Sequence, residues 1–327
     1  MPASPKTGLS TLLQGYCLCA QSEGKSPKTI EMVRSSVGYL AEFLYSQGMS
    51  TNVADIGTAE IRMFIVHLQR KKPFSNHPFA RPQQRALSEH TVNCYLRSVR
   101  AFWSWLVSEA IIKTNPFSKI KIPKVSRKIV PTLSELQLRA LLEVINVSSP
   151  EGYRDMAVIL LLVDTGLRVS ELASLRLQDL RLAEGALKVL GKGNKERLVP
   201  IGKTSQRLLW NYLNRFRSES ASPRCQLVFL TDDGWPLTKN RIQKMIAKYG
   251  KKASIQGVRC SPHTLRHTAA VMFLRNGGNV FSLQRLLGHA GLEMTRHYCE
   301  LADIDVKTAH SIASPVDNLG LRRHRVS

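Results

Sequence analysis

Apolar residues recur every three or four positions in the first part of the chain, which predicts three amphipathic helices. Ser26-Pro27 precedes the first stripe, and a serine cap before proline is a helix start signal. A third stripe begins after Ser88. The apolar positions are Ile30, Val33, Val37, Leu40 and Leu44, then Ile61, Phe64, Ile65 and Leu68, then Val92, Tyr95, Leu96, Val99, Phe102, Trp103 and Leu106. This part, about 110 residues, is predicted to form a small all-helical bundle.

The second part of the chain is mostly helical in pattern, with a β interruption. Thr132 and Glu135 have the spacing of a capping box at a helix start. Residues 186–201 alternate on both sides of a Gly-rich turn and predict a β-hairpin, and residues 226–234 predict a short strand and turn. From Ser261 onward the pattern is helical again. The sequence therefore predicts a mainly α fold with a small β-sheet or hairpin.

Two segments without periodicity suggest where the chain divides. Residues 73–85 are Pro-rich and predict a loop. Residues 113–128 carry six basic residues, two prolines and no acidic residue, which predicts an extended basic linker. The predicted parts are a helical domain over 1–112, the linker, a second domain over 129–312 and a C-terminal tail over 313–327.

The chain is strongly basic, with 47 Lys and Arg against 24 Asp and Glu and a formal net charge of +23. Such a charge indicates a polyanionic partner, of which nucleic acid is the common one. Residues 1–124 carry a net charge of +9 and the remainder carries +14. Because both parts are basic, we expect both to contact double-stranded DNA and to close around it.

The cysteines and the apolar runs bear on location. The six cysteines are irregularly spaced and form no C-x-x-C motif, which favours reduced thiols in the cytoplasm. The start of the chain has no apolar core of signal-peptide length. The longest apolar run, residues 156–163, is far short of the about 20 residues that a membrane helix needs. We expect a cytoplasmic, nucleoid-associated protein with no membrane anchor.

Neither an ATP site nor a metal site is predicted. The Gly-rich hairpin turn misses the phosphate-binding-loop spacing, and a second near-match would need glycine where Arg197 stands. His263 and His267 are four residues apart, a metal-ligand spacing, but Thr264 occupies the position where a zinc protease has glutamate. Arg266 lies between the two histidines, and cations repel a divalent metal.

A phosphate site explains the same stretch better. Ser261 and Pro262 form a helix start, where backbone amides and the helix dipole favour an anion. His263 and Arg266 are three apart and share a face, and an arginine can bind two oxygens of one phosphate. His267 lies just off that face and is interpreted as a structural histidine. A second candidate cation is Arg168, which Glu171 can hold in place from three residues away.

Together these segments resemble the tyrosine recombinase family, which includes phage-type integrases and Xer-type resolvases. The resemblance rests, in chain order, on Arg168-Val-Ser-Glu171, GKGNKERLVPI at 191–201, His263-Thr-Leu-Arg266, Leu287-Gly288-His289 and Tyr298. It covers residues 130–312, and residues 8–110 resemble the family's helical, SAM-like core-binding domain more weakly. The resemblance implies a two-domain DNA clamp, with this helical domain joined to a mixed α+β catalytic domain.

The resemblance implies catalysis by a tyrosine nucleophile. Tyr298 would attack a DNA phosphate and form a 3′-phosphotyrosyl link, which conserves the ester's energy, so that rejoining needs no ATP. His263 would exchange a proton with the tyrosine oxygen. Lys192, at the hairpin tip, would protonate the departing 5′ oxygen.

The remaining implied residues act on the phosphate itself. Arg168 and Arg266 would hold the non-bridging oxygens, His289 would hydrogen-bond the phosphate, and Glu171 would support Arg168. No cofactor and no metal is expected, because these cationic groups do what magnesium does in other phosphoryl-transfer sites.

The family recombines paired DNA sites as a homo-tetramer, with accessory proteins as further partners. By resemblance the segment after Tyr298, apolar at Ile304, Val306, Ala309 and Ile312, docks on a neighbouring subunit; the alternative is that it caps its own domain. The basic residues that we expect to contact DNA are Lys28, Arg97, Arg100, Lys121, Lys124, Lys239 and Arg241.

The biological role stays open in the sequence. The Pro-rich segment at 73–85 and the extension beyond about residue 312 favour an integrase of a mobile element. A chromosome-dimer resolvase is the alternative role. Relaxation of supercoils in the manner of type IB topoisomerases and non-catalytic DNA binding are the alternative activities.

Overall fold

The computed structural model describes residues 8–72, 84–123, 131–191, 195–289, 291–292, 295–296, 298–299, 310 and 314–319. The chain divides into two compact units, residues 1–127 and residues 128–327. Most of the predicted loop at 73–85 lies outside the described residues.

The described part of the first unit is helical. It contains α1 (Leu9–Ser22), α2 (Pro27–Ser46), α3 (Thr58–Arg70) and α4 (Glu89–Ser108). Helices α2 and α4 begin where predicted, because the Ser26 and Ser88 hydroxyls accept hydrogen bonds from the third residue beyond them, each at 3.2 Å. The three predicted apolar stripes form the centre of one core. The predicted helical bundle is confirmed.

The described part of the predicted linker is packed, not extended. Pro116–Lys119 form a 3₁₀ turn, and Phe117 is buried in the core of the first unit. Asn93 Nδ2 in α4 donates a hydrogen bond to the Pro123 carbonyl at 2.7 Å. Residues 113–123 therefore belong to the first unit, because their apolar side chains bury against its helices. Residues 124–128, including Lys124, lie outside the described residues.

The second unit is built around buried helices. It contains α5 (Glu135–Glu143), α6 (Pro150–Thr165), α7 (Val169–Ala173), α8 (Lys203–Asn211), α9 (Lys239–Lys252), α10 (Pro262–Arg275) and α11 (Val280–Leu287). A π-helical turn, Tyr212–Phe216, continues α8, and 3₁₀ turns span Leu177–Asp179, Leu182–Glu184 and Asp317–Leu319. The predicted capping box at Thr132 lies two residues later, where Ser134 and Gln137 exchange hydrogen bonds at 3.1 and 3.0 Å.

A small antiparallel sheet accompanies these helices. Its strands are β1 (Leu180–Arg181), β2 (Ala186–Leu190) and β3 (Glu196–Pro200), in the order β1-β2-β3. The β2–β3 pairing confirms the predicted hairpin. The predicted strand at 226–234 is wrong, since the described backbone makes only isolated bridges at Leu227 and Leu230. Its apolar run is instead buried as an irregular segment of the helical core. The mainly α fold with a small sheet is confirmed.

None of the helices in the described ranges combines the length and apolar character that crossing a bilayer requires.

Candidate active site

A left-handed glycine turn places the first arginine of the site. Gly166 ends α6 with φ of +60°, a conformation that glycine adopts without strain. Its carbonyl accepts a hydrogen bond from Arg266 Nη1 in α10. A Cβ at this position would lie 2.5 Å from Leu287 Cδ2, so the turn also packs closely against α11. Arg168 follows two residues later, directly before α7.

Glu171 is a buried carboxylate shared by two arginines. It accepts hydrogen bonds from the backbone N–H and Nη1 of Arg168, both at 2.9 Å, as the spacing predicted. It also accepts from Arg197 Nη1 and Nη2 at 3.0 and 2.9 Å. Burial opposes ionisation of Glu171, but the hydrogen bonds from Arg197 and Arg168 hold its pKa below the ordinary value. The carboxylate is therefore charged at neutral pH.

Arg197 is a member of this site that sequence reasoning missed. It lies on β3, 26 residues from Glu171, and the sequence identified it only as a mismatch to a phosphate-binding loop. The available signal was its place in the family-like stretch at 191–201, directly after the hairpin turn.

Arg266 is buried at the centre of the site. Besides the Gly166 carbonyl, its guanidinium donates to the Leu287 carbonyl at 2.8 Å and to His289 Nε2 at 3.1 Å. Burial and the nearby Arg168 lower its pKa to about 10. Arg266 is therefore still charged at neutral pH, and its hydrogen-bond partners in the described part of the chain are neutral groups.

The contacts of His289 assign its tautomer. Arg266 Nη2 donates to Nε2, so the proton of the neutral ring lies on Nδ1, which donates to Thr295 Oγ1 at 3.0 Å. Burial, Arg266 and Arg168 lower the pKa of His289 to about 4. His289 is therefore uncharged at neutral pH in this structure.

Acid is expected to destabilise the second unit through His289. The pKa of this residue rises from about 4 to the ordinary 6.5 on unfolding, so the unfolded chain takes up the proton first as the pH falls. The stabilisation from neutral His289 is complete above pH 6.5 and is lost progressively towards pH 4. Denaturant unfolding across this window should show a flatter pH dependence for His289→Gln than for the wild type. Equal slopes would contradict the assignment.

The histidine beside the tyrosine hydroxyl is not the one that the sequence analysis assigned to it. Tyr298 is only 2% exposed, and its hydroxyl lies 2.7 Å from Nδ1 of His267, the histidine interpreted as structural. The Tyr298 ring also stacks on the ring of His289, with centroids 6.3 Å apart. Burial raises the pKa of Tyr298, although Arg266 and Arg168 oppose the shift. His263 is exposed in the first turn of α10.

The other predicted residues lie on the surface or outside the described chain. Lys192 falls outside the described residues; beside it, the Gly191 N–H donates to the Lys195 carbonyl at 2.8 Å and closes the neck of the hairpin. Among the DNA-contact candidates, Lys28, Arg97, Arg100 and Lys121 are exposed on the first unit, and Lys239 and Arg241 are exposed at the start of α9. In the described ranges no His, Cys, Asp and Glu group could hold a metal ion.

The charges of the site favour binding of an anion. Three guanidinium groups lie in this site with one carboxylate: Arg168 and Arg197 contact Glu171, whereas Arg266 donates only to neutral groups in the described part of the chain. A side chain that is 35% exposed lets Arg168 reach solvent. Two guanidinium groups can hold the oxygens of a phosphate, and a phenol beside an imidazole can give up its proton as it attacks.

Comparisons with known proteins agree with this chemistry. A family profile described as the phage integrase family matches residues 131–304. The chain is 33% identical over 296 residues to tyrosine recombinase XerC of Oceanobacillus iheyensis, covering 90% of this chain and 92% of the relative. It is 32% identical over 295 residues to tyrosine recombinase XerD of Shewanella oneidensis, covering 90% and 93%.

Two solved structures share the fold. XerH site-specific recombinase bound to palindromic difH substrate aligns with a TM-score of 0.67 and 21% identity, covering 94% of this chain and 85% of that one. The Tn1549 transposon integrase in complex with transposon right end DNA aligns with a TM-score of 0.71 and 18% identity, covering 95% and 100%. By profile and by relatives, this chain belongs to the phage integrase family of tyrosine recombinases, enzymes that cut and rejoin DNA strands.

Proposed function

We propose that this chain is a site-specific recombinase that cuts and rejoins DNA through a 3′-phosphotyrosyl link at Tyr298. The observation that carries the proposal is the Tyr298 hydroxyl beside His267, against His289 and close to two arginines. The strongly positive net charge supports DNA as the substrate. The protein would then act in the cytoplasm, on the nucleoid.

In this mechanism the arginines hold the phosphate while the bond from Tyr298 to phosphorus forms and the bond from phosphorus to the 5′ oxygen breaks. Arg168 and Arg266 bind the non-bridging oxygens, and Arg266 turns from His289 towards the phosphate. An anion there raises the pKa of His289, so that a protonated Nε2 donates to the phosphate as well. The negative charge that develops in the transition state is thereby stabilised without a metal ion.

The proton movements balance the bond changes. The Tyr298 oxygen forms a bond to phosphorus as its proton passes to a histidine, and the bond from phosphorus to the 5′ oxygen breaks as that oxygen takes a proton from Lys192. His267 accepts the hydrogen bond of Tyr298 before DNA is bound, and His263 exchanges the proton once the tyrosine has moved out to the phosphate. This movement is needed because a duplex cannot reach the hydroxyl of a tyrosine that is only 2% exposed.

Two biological roles are each favoured by an observation. The relatives named XerC and XerD cover nine tenths of the chain, which favours recombination of chromosomal sites. The Pro-rich segment at 73–85 and the tail favour a mobile element.

Sequencing the DNA trapped on Tyr298 decides between these roles. Cells that express the protein are lysed in denaturant, the covalent adducts are purified, and the attached DNA is sequenced, with Tyr298→Phe as the background. We expect enrichment of a short inverted-repeat site. One chromosomal locus would contradict the mobile-element role, and the ends of an element would contradict the resolvase role.

Assembly into a tetramer on two DNA sites is also part of the proposal. Val316 and Leu319 are exposed apolar residues in the described piece of the tail, and burial against a second subunit would cover them.

Removing residues 303–327 should therefore spare binding to a single site but impair recombination between two sites. Gel-shift and two-site recombination assays measure the two effects. The double variant Val316→Ser and Leu319→Ser is the matched change that leaves the chain length intact. Normal recombination by the truncated protein would contradict docking in trans.

A further inference from the structure

The guanidinium of Arg197 occupies a niche that other segments leave open for it. It donates to both oxygens of Glu171 and, through Nε, to the Leu286 carbonyl at 3.3 Å. A Cβ on Gly288 would lie 3.0 Å from its Cζ, and a Cβ on Gly191 would lie 3.2 Å from its Nη1. Both glycines therefore admit the guanidinium to a position where its side chain is only 16% exposed.

The charge balance around Glu171 shows what this position does. One carboxylate lies between two guanidinium groups, so one positive charge is left over for an incoming anion. Arg197 takes both carboxylate oxygens, whereas the Arg168 side chain uses one nitrogen on one oxygen. Without Arg197 the carboxylate would draw Arg168 into a two-pronged pair and cancel its charge.

We propose that Arg197 is a positioning residue, which neutralises Glu171 and so keeps Arg168 available for the DNA phosphate. The inference rests on the proposed function, in which Arg168 binds that phosphate. Arg197 itself does not touch substrate: it acts through Glu171. A second way for Arg197 to act would be on Lys192, through the hairpin neck at Gly191. Only the close approach of Arg197 to Gly191 supports that route, whereas two hydrogen bonds support the route through Glu171.

The test is a double-mutant cycle whose outcome differs from that of a structural role. The probe is inorganic phosphate, with binding to the full-length protein measured by calorimetry. Arg197→Met keeps a long side chain in the niche but removes the charge, and should weaken phosphate binding roughly tenfold or more. Adding Glu171→Gln should restore binding to within about threefold of the wild type, because the carboxylate that captures Arg168 is gone.

Arg197→Lys is the conservative variant, and it should retain most of the phosphate affinity because the charge is kept. Arg181→Ala is the matched control, since Arg181 is an exposed arginine paired with Glu184 outside the site. Thermal unfolding of each variant separates folding from binding. A double variant that binds no better than Arg197→Met would overturn the proposal, and so would undiminished binding by Arg197→Met.

A covalent assay distinguishes the two routes and the two proposals. The substrate is a duplex that carries the site identified by sequencing the Tyr298 adducts. On this substrate Arg197→Met should form the adduct slowly, whether the 5′-bridging atom is oxygen or sulfur. Rescue by sulfur would overturn the Arg168 route in favour of Lys192. If Arg168→Ala binds phosphate normally, or Tyr298→Phe still forms adducts, the proposed function fails, whatever the Arg197 cycle gives.

Discussion

Replacing Tyr298 by phenylalanine is expected to abolish covalent protein–DNA adducts while leaving DNA binding intact. The change removes one oxygen from a ring that is otherwise buried against His267 and His289, so the packing is kept. Without that oxygen no bond to phosphorus can form, whatever the other groups contribute. Denaturing gels with labelled DNA measure the adduct, and gel shifts measure binding.

Tyr249 provides the matched control for this substitution. Its hydroxyl donates to the buried carboxylate of Asp155 at 2.9 Å, and burial together with that carboxylate raises its pKa strongly. A phenol held in this way is a poor nucleophile. Tyr249→Phe should therefore lower stability by about 1–3 kcal/mol, since it leaves a buried acceptor without its donor, and should still form adducts. Adducts that persist in Tyr298→Phe and vanish in Tyr249→Phe would reverse the assignment.

The sequence predicted best the features that local pattern decides. The serine-capped starts of α2 and α4, the β2–β3 hairpin and the contact between Arg168 and Glu171 all depend on residues a few positions apart. Caps, alternation and helical spacing are short-range effects, so a single sequence contains them.

What the sequence could not predict depends on tertiary packing. The contact between His267 and Tyr298 spans 31 residues and forms only because α10 and the segment after α11 share a small core. The pairing of Arg197 with Glu171 likewise depends on how β3 lies against α7. The segment at 226–234 has the composition of a strand, but burial among helices explains its apolar residues equally well.

The roles of the six implied catalytic residues were likewise a matter of family resemblance, not of pattern. The structure brings Arg168, Arg266, His289 and Tyr298 to one site, whereas His263 is exposed in the first turn of α10. Lys192 lies outside the described residues, so its role stays a prediction that only chemistry can test.

Replacing Lys192 by alanine is expected to slow cleavage of normal DNA by roughly 100-fold or more, because a general acid is lost. The departing 5′ oxygen is a poor leaving group unless it is protonated as it leaves. A sulfur at that bridging position needs no proton, since a thiolate is far more stable. The same variant should therefore cleave a 5′-bridging phosphorothiolate site at close to the wild-type rate, as measured by single-turnover adduct formation.

Arg168→Ala is the control that gives this experiment its meaning. This variant loses the positive charge that stabilises the non-bridging oxygens. Sulfur at the bridging position does not change the charge of those oxygens, so sulfur should not rescue the variant. Lys188→Ala is the matched lysine variant, because Lys188 pairs with Glu196 across the same hairpin and should behave like the wild type. If sulfur fails to rescue Lys192→Ala, the proton comes from another group, and Lys195, on the far side of the turn, becomes the residue to test by the same pair of substrates.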